Sequence, residues 1–173
     1  MTRFARNLVL SVSGISVAAI GIASLGSFPT KLVWNGSASA AVGLYRVEKR
    51  DPELGDYALV KPNERLAQFI FGRGYLPPDV PLLKRIAALP GDEICRENER
   101  IFINKIVVAE ALLTDSFGRK MPEWSGCFTL KSDEVFLLNA PEKSLDGRYF
   151  GATKRADIIG IAAPIWVRTD AEN

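Results

Sequence analysis

Three clusters have residue types and spacings suited to hydrolytic chemistry. Ser37 and Ser39 stand two apart in Asn35-Gly36-Ser37-Ala38-Ser39-Ala40-Ala41-Val42-Gly43-Leu44-Tyr45. Lys84 lies in Leu82-Leu83-Lys84-Arg85-Ile86-Ala87-Ala88. Strand alternation puts it on one face with Leu82, Ile86 and Ala88, and Arg85 on the other. A lysine on an apolar face loses hydration, which disfavours its charged form and lowers its pKa. A neutral amine can then act as a general base near physiological pH. The third cluster is Ser144-Leu145-Asp146-Gly147-Arg148-Tyr149-Phe150-Gly151, where Asp146 and Arg148 are spaced for an ion pair, expected at the surface. A serine is a weak nucleophile until a base takes its proton. The chain has no histidine, which excludes Ser-His-Asp and Cys-His catalysis and imidazole metal sites. The base must therefore be Lys, Asp, Glu or Tyr, and a Ser-Lys dyad is the economical choice. Each cluster alone has a plainer explanation: loop serines, an edge lysine that snorkels to water, and a polar turn.

Other chemistries find less support. The net charge is only +2, and no Lys/Arg stripe is interleaved with aromatics, so no nucleic-acid partner is expected. Cys95 and Cys127 are the only cysteines. They are too few for a four-thiolate zinc site, so neither a metal nor a cofactor is expected. In an oxidising compartment they would pair as a disulfide. Asn35-Gly36-Ser37 fits a glycosylation sequon, which matters only in a eukaryotic secretory pathway.

The elements that must position these residues follow from hydrophobic patterning. Leu8 to Phe28 carries no charge and is long enough, at about 1.5 Å per residue, to cross one hydrocarbon core. Arg3 and Arg6 precede it, and this bias sets residues 1–7 in the cytoplasm and 29–173 outside. Ala38-Ser39-Ala40 imitates the small-x-small site at which a signal peptide is cut. Cleavable leaders, however, have a shorter apolar region with the site close behind, and Ala40 lies twelve residues beyond Phe28. The expected organisation is a cytoplasmic N-terminus (1–7), a transmembrane anchor (8–28) and an extracytoplasmic domain (29–173). Strand-like runs occur at Gly43–Val47, Tyr57–Val60, Leu82–Leu89, Glu93–Cys95, Arg100–Ile103, Ile106–Val108, Phe128–Leu130, Val135–Leu138 and Ile158–Val167, separated by turn signals. Leu66–Phe71 fits a core helix, a core strand or a surface dipping into the lipid interface, and residues 113–126 read as a long surface loop. The fold class is mostly β, an antiparallel barrel-like or sandwich domain behind one N-terminal transmembrane helix.

Together the three clusters resemble type I signal peptidases, the serine-lysine leader peptidases, and most of all their conjugative-transfer TraF branch. The segment from Asn35 to Tyr45 is similar to that branch's N-x-S/T-x-S-x-P-x-G-L-Y box. Lys84-Arg85-Ile86-Ala87-Ala88-Leu89-Pro90-Gly91-Asp92 is similar to the family's K-R-V-x-x-L-P-G-D box, and Ser144 to Gly151 to its S-x-D-S-R-x-[WF]-G box. Gly72-Arg73-Gly74-Tyr75-Leu76-Pro77 also looks like the TraF branch. Ala41 stands where the family usually has proline, and Gly147 where the general leader peptidases have serine. The resemblance implies a signal-peptidase-like β domain with Ser39 as nucleophile and Lys84 as base. Ser37 would assist the oxyanion, Ser144 hydrogen-bond the lysine, and Asp146 with Arg148 support the lysine side. It further implies an inner-membrane, single-pass peptidase facing the periplasm. Its substrate would be an exported preprotein, most of all a prepilin, cleaved or cyclised beside other conjugative pilus components. A general leader peptidase and a non-catalytic envelope assembly factor are the alternatives.

Overall fold

The computed structural model describes residues 3–25 and 30–168. Residues 1, 2, 26–29 and 169–173 of the expected segments lie outside the described residues. The chain divides into two units, Met1–Thr30 and Lys31–Asn173.

The first unit is helix α1, Arg3–Leu25. It begins five residues before the expected span because neither Gly nor Pro interrupts Arg3 to Asn7. Its 23 residues extend roughly 34 Å, and Arg3–Ile22 is apolar and long enough to cross a bilayer. Ser16 and Ser24 donate to the carbonyls of Val12 (2.9 Å) and Ile20 (2.8 Å), so neither hydroxyl is left unpaired on the apolar surface. Such a helix is compatible with a membrane anchor or a signal sequence.

The second unit is built from short antiparallel strands. A seven-stranded sheet runs in the order β1 (Leu32–Asn35), β2 (Gly43–Glu48), β11 (Ile158–Val167), β3 (Tyr57–Val60), β4 (Leu82–Ala88), β9 (Glu134–Leu137) and β10 (Thr153–Lys154). A four-stranded sheet runs β7 (Ile106–Glu110), β6 (Arg100–Ile103), β5 (Glu93–Glu97), β8 (Gly126–Thr129). This is the mostly β class expected, with the ends of the expected strands found within two residues of those the patterning marks, while β1 and β10 are short additions that the patterning does not mark. Asn104 and Lys105 both take positive φ (50° and 70°), the left-handed pair that closes a two-residue hairpin with the right twist.

Three apolar clusters hold the unit. Ala58, Val60, Leu82, Ile86 and Ile161 form one, and Tyr45, Val47, Leu59 and Leu83 another. The third, Ala88, Ile94, Ile101, Leu130 and Phe136, joins the two sheets. Leu82 and Leu83 are both buried, so β4 is covered on both faces where alternation alone would cover one. Leu66–Phe71 belongs to α2 (Glu64–Gly72), whose Ile70 is fully buried in the first cluster. Asn63 caps this helix through Oδ1, which accepts from Leu66 N at 3.0 Å. The loop after β7 is fastened to the residues after α2. Asp115 accepts from Tyr75 Oη (2.5 Å) and Arg119 Nε (2.7 Å).

Cys95 on β5 stands directly opposite Cys127 on β8, and the sulfurs are joined as a disulfide across 32 positions of sequence. On the chain-entropy model a loop of this length contributes about 3–4 kcal/mol by restricting the unfolded chain. The Cys95→Ser/Cys127→Ser double variant is expected to lose that amount in urea unfolding at fixed pH. In denatured wild-type protein, alkylation should require prior reduction, and equal labelling with and without reductant would contradict the pairing.

Candidate active site

Ser39 sits in the loop between β1 and β2, whose shape is set by one side chain. Asn35, the buried last residue of β1, sends Nδ2 to the carbonyls of Ser37 (3.0 Å), Ala40 (3.0 Å) and Ala41 (3.1 Å). Its Oδ1 accepts from Ser37 N (3.1 Å) and Ser37 Oγ (3.0 Å). Tyr45 Oη also donates to Ala41 O at 2.7 Å. The loop is thus closed around an amide, with no proline at Ala41 needed to shape it. Ser37 Oγ and Ser39 Oγ lie 3.0 Å apart. Among the described residues the Ser39 N–H meets no acceptor, so a donor is free beside the hydroxyl.

Lys84 is only 4 % exposed. Its Nζ lies 3.0 Å from Ser144 Oγ and 3.5 Å from Ser39 Oγ. Burial pushes the amine down to about 8 from 10.5; the Asp146 carboxylate opposes this and the Arg148 guanidinium adds to it. Ser37, Ser39, Lys84 and Ser144 therefore converge, a grouping that the resemblance implied and that spacing alone did not. They line a groove of about 820 Å³ with apolar walls that include Val33, Leu76, Leu83 and Leu145.

Asp146 and Arg148 do not sit at the surface. They are 0 % and 1 % exposed, so the expected surface pair is a buried one. Arg148 Nε donates to Asp146 Oδ1 at 3.0 Å, and Nη2 to Oδ2 at 3.2 Å. The remaining guanidinium contacts are to the carbonyls of Glu142, Asn139 and Pro141. Arg96, itself buried on β5, donates to Arg148 O at 2.9 Å. Asp146 also caps the short helix α3 (Gly147–Phe150) by accepting from Arg148 N. There is no room for a side chain at Gly147, where a Cβ would stand 2.6 Å from Phe136 Cε2 and 2.7 Å from Leu137 O. Phe136 occupies the space that the usual serine would need.

In the sequence Asn35 is visible only as part of a motif, Arg96 reads as part of a polar turn although it lies buried on β5, and Asn139 carries no signal. Asn139 is 2 % exposed. Its Nδ2 donates to Leu83 O at 3.2 Å, and its Oδ1 accepts from Arg85 N at 2.8 Å. In sequence it is indistinguishable from an exposed loop asparagine, so nothing in the spacing singles it out.

A family model described as signal peptidase, peptidase S26, matches residues 5–167. The chain belongs to this signal peptidase family. Within the S26 family its relatives are transfer proteins. The plasmid transfer protein TraF of Escherichia coli is 31 % identical over 144 residues, covering 80 % of this chain and 78 % of that protein. The conjugal transfer protein TraF of Agrobacterium fabrum is 32 % identical over 143 residues, covering 76 % and 80 %. These matches put the chain in the TraF branch. A crystal structure of a signal peptidase I from Enterococcus faecalis is 20 % identical, with a TM-score of 0.38, and covers 66 % of this chain and 98 % of that one.

The depressed Lys84 amine carries a stability cost whose pH dependence can be worked out. Below about pH 8 both folded and unfolded states hold the proton, and the folded state bears the whole cost. Between about 8 and 10.5 the unfolded state binds more protons, so stability rises with pH. A shift of this size corresponds to about 3 kcal/mol. Lys84→Met is expected to stabilise the detergent-solubilised protein by about that much at pH 7, and by under about 1 kcal/mol at pH 10. An equal change at both pH values in urea unfolding would refute the buried-amine account.

Proposed function

We propose that this protein is a membrane-anchored serine endopeptidase that uses Ser39 and Lys84 to process exported preproteins, above all a prepilin in conjugative transfer. The observation that carries the reading is a buried amine, with its pKa lowered to about 8, 3.5 Å from a serine hydroxyl in an apolar groove. Neutral Lys84 takes the Ser39 proton as Oγ attacks the substrate carbonyl, forming the C–O bond of the tetrahedral intermediate. The Ser39 N–H donates to the developing oxyanion, and the Ser37 hydroxyl turns from Asn35 Oδ1 to join it. Lys84 then returns the proton to the leaving amine as the peptide bond breaks, leaving an acyl-enzyme. Ser144 holds Nζ at 3.0 Å, and Asp146 with Arg148 holds Ser144's loop. Water resolves the acyl-enzyme to a linear product, and an amine resolves it to a cyclic one.

Conjugative substrates are supported by the names of the TraF relatives. An inner-membrane location with the peptidase domain in the periplasm is supported by the apolar helix and the arginines at 3 and 6. Tethering confines enzyme and preprotein to one surface and raises their effective concentration.

With a prepilin or a peptide spanning its processing site, Ser39→Ala and Lys84→Ala are each expected to abolish turnover. Ser37→Ala should slow it about 10²–10³-fold, as loss of one oxyanion donor does elsewhere. Because the neutral amine is the base, kcat/KM should rise with pH and level off above an apparent pKa near 8. Near wild-type cleavage by Lys84→Ala would rule the mechanism out. Mass spectrometry separates the two fates, since the cyclic product is one water lighter than the linear one.

A further inference from the structure

We infer that Asn139 is the positioning residue for Lys84, its side-chain amide standing in for a missing strand and fixing the two peptide groups that flank the lysine. Strand β4 pairs with β3 through Leu82, Leu83, Lys84 and Arg85 on one edge. On the other edge β9 reaches only Ile86 and Ala88, with a register shift between them. The backbone around Lys84 would therefore present an open edge where it meets the groove. Asn139, just beyond β9, fills that edge. Its Nδ2 takes Leu83 O and its Oδ1 takes Arg85 N, while the adjacent Leu138 N donates to Arg85 O at 2.9 Å. The residue is itself pinned. Its N–H donates to Asp146 Oδ2 at 3.0 Å, and its carbonyl accepts from Arg148 Nη2.

A primary amide offers a donor and an acceptor on one short planar group at every pH, which is what a C=O and an N–H on the same strand edge require. Aspartate could serve only the N–H, and alanine neither. The bracket sets where the Lys84 side chain leaves the sheet, and it keeps water from the strand edge beside the amine. The groups facing that amine are Ser39 Oγ and Ser144 Oγ, with Asp146 and Arg148 as the nearby charges. β3 offers Ala58 opposite. Lys143, Asp115 and Tyr149 line the same groove, and Arg85 points away, its Nε on Gly55 O.

The catalytic meaning of this bracket rests on the proposed Ser39–Lys84 dyad, and the geometry can be tested without it. The experiment uses the full chain in detergent with 13Cε-labelled lysine, the Lys84 resonance being assigned by its loss in Lys84→Met. In Asn139→Ala, water reaches the strand edge. The Lys84 titration should move up from about 8, and exchange of the Arg85 amide should quicken by about tenfold or more. On peptide substrate, kcat should fall about 10–100-fold, with KM held within about twofold. Asn139→Asp covers the case in which the alanine variant fails to fold. It keeps the acceptor for Arg85 N, so exchange stays slow, and it adds a carboxylate, so the Lys84 titration again moves up. A folded variant with lower thermal stability but an unmoved Lys84 titration would overturn the inference, leaving Asn139 with a structural role only. If the wild-type chain shows no Lys84-dependent cleavage, the proposed function falls, and titration and exchange still decide the role of Asn139.

Discussion

Arg148 and Asp146 are removed from solvent and hold each other at 3.0 Å, and the geometry of the groove is built outward from that contact. A buried ion pair repays its desolvation only when its remaining donors and acceptors are also satisfied. Here each guanidinium nitrogen has a partner, among them three carbonyls of the connection between β9 and α3. Satisfying the arginine therefore folds that connection into one shape. Ser144 is carried on the same connection and meets Lys84. The two charges also oppose each other at the lysine, one raising and one lowering its pKa, so burial is left as the dominant influence. The pair organises the site while its two charges act on the amine in opposite senses.

The two proposed reacting groups come from different kinds of structure. Lys84 is on a strand covered on both faces, and Ser39 is on a loop without a ladder of its own. Each depends on a buried asparagine: Asn35 gathers the serine loop, and Asn139 flanks the lysine. An apolar groove needs polar groups held in fixed directions, and amides supply direction without charge. That matters beside an amine whose behaviour depends on staying dehydrated.

Much of this was legible in the chain, for identifiable reasons. Alternation marked Lys84 as facing inward because a seven-residue strand repeats its period enough times to be read. The serine and aspartate clusters were legible as motifs, and the absence of histidine narrowed the choice of base. Asn139 was not legible, because its partners lie 54 and 56 positions earlier and asparagine is ordinary in a loop. The burial of Asp146 and Arg148 was misplaced for a similar reason. Two charges in a glycine-containing turn look solvated, and the contacts that bury this turn include one to an arginine 52 positions away. Helix α2 was ambiguous because the apolar run Leu66–Phe71 within it is short enough for either period.

Asn35 has one consequence for how such a chain can change over evolutionary time. Its amide acts as a ruler. It measures the stretch from Ser37 to Ala41 by grasping carbonyls at both ends, and a side chain of fixed length cannot stretch to follow an inserted residue. Length variation is thereby steered away from this loop and toward exposed tips whose side chains gather no such set of carbonyls.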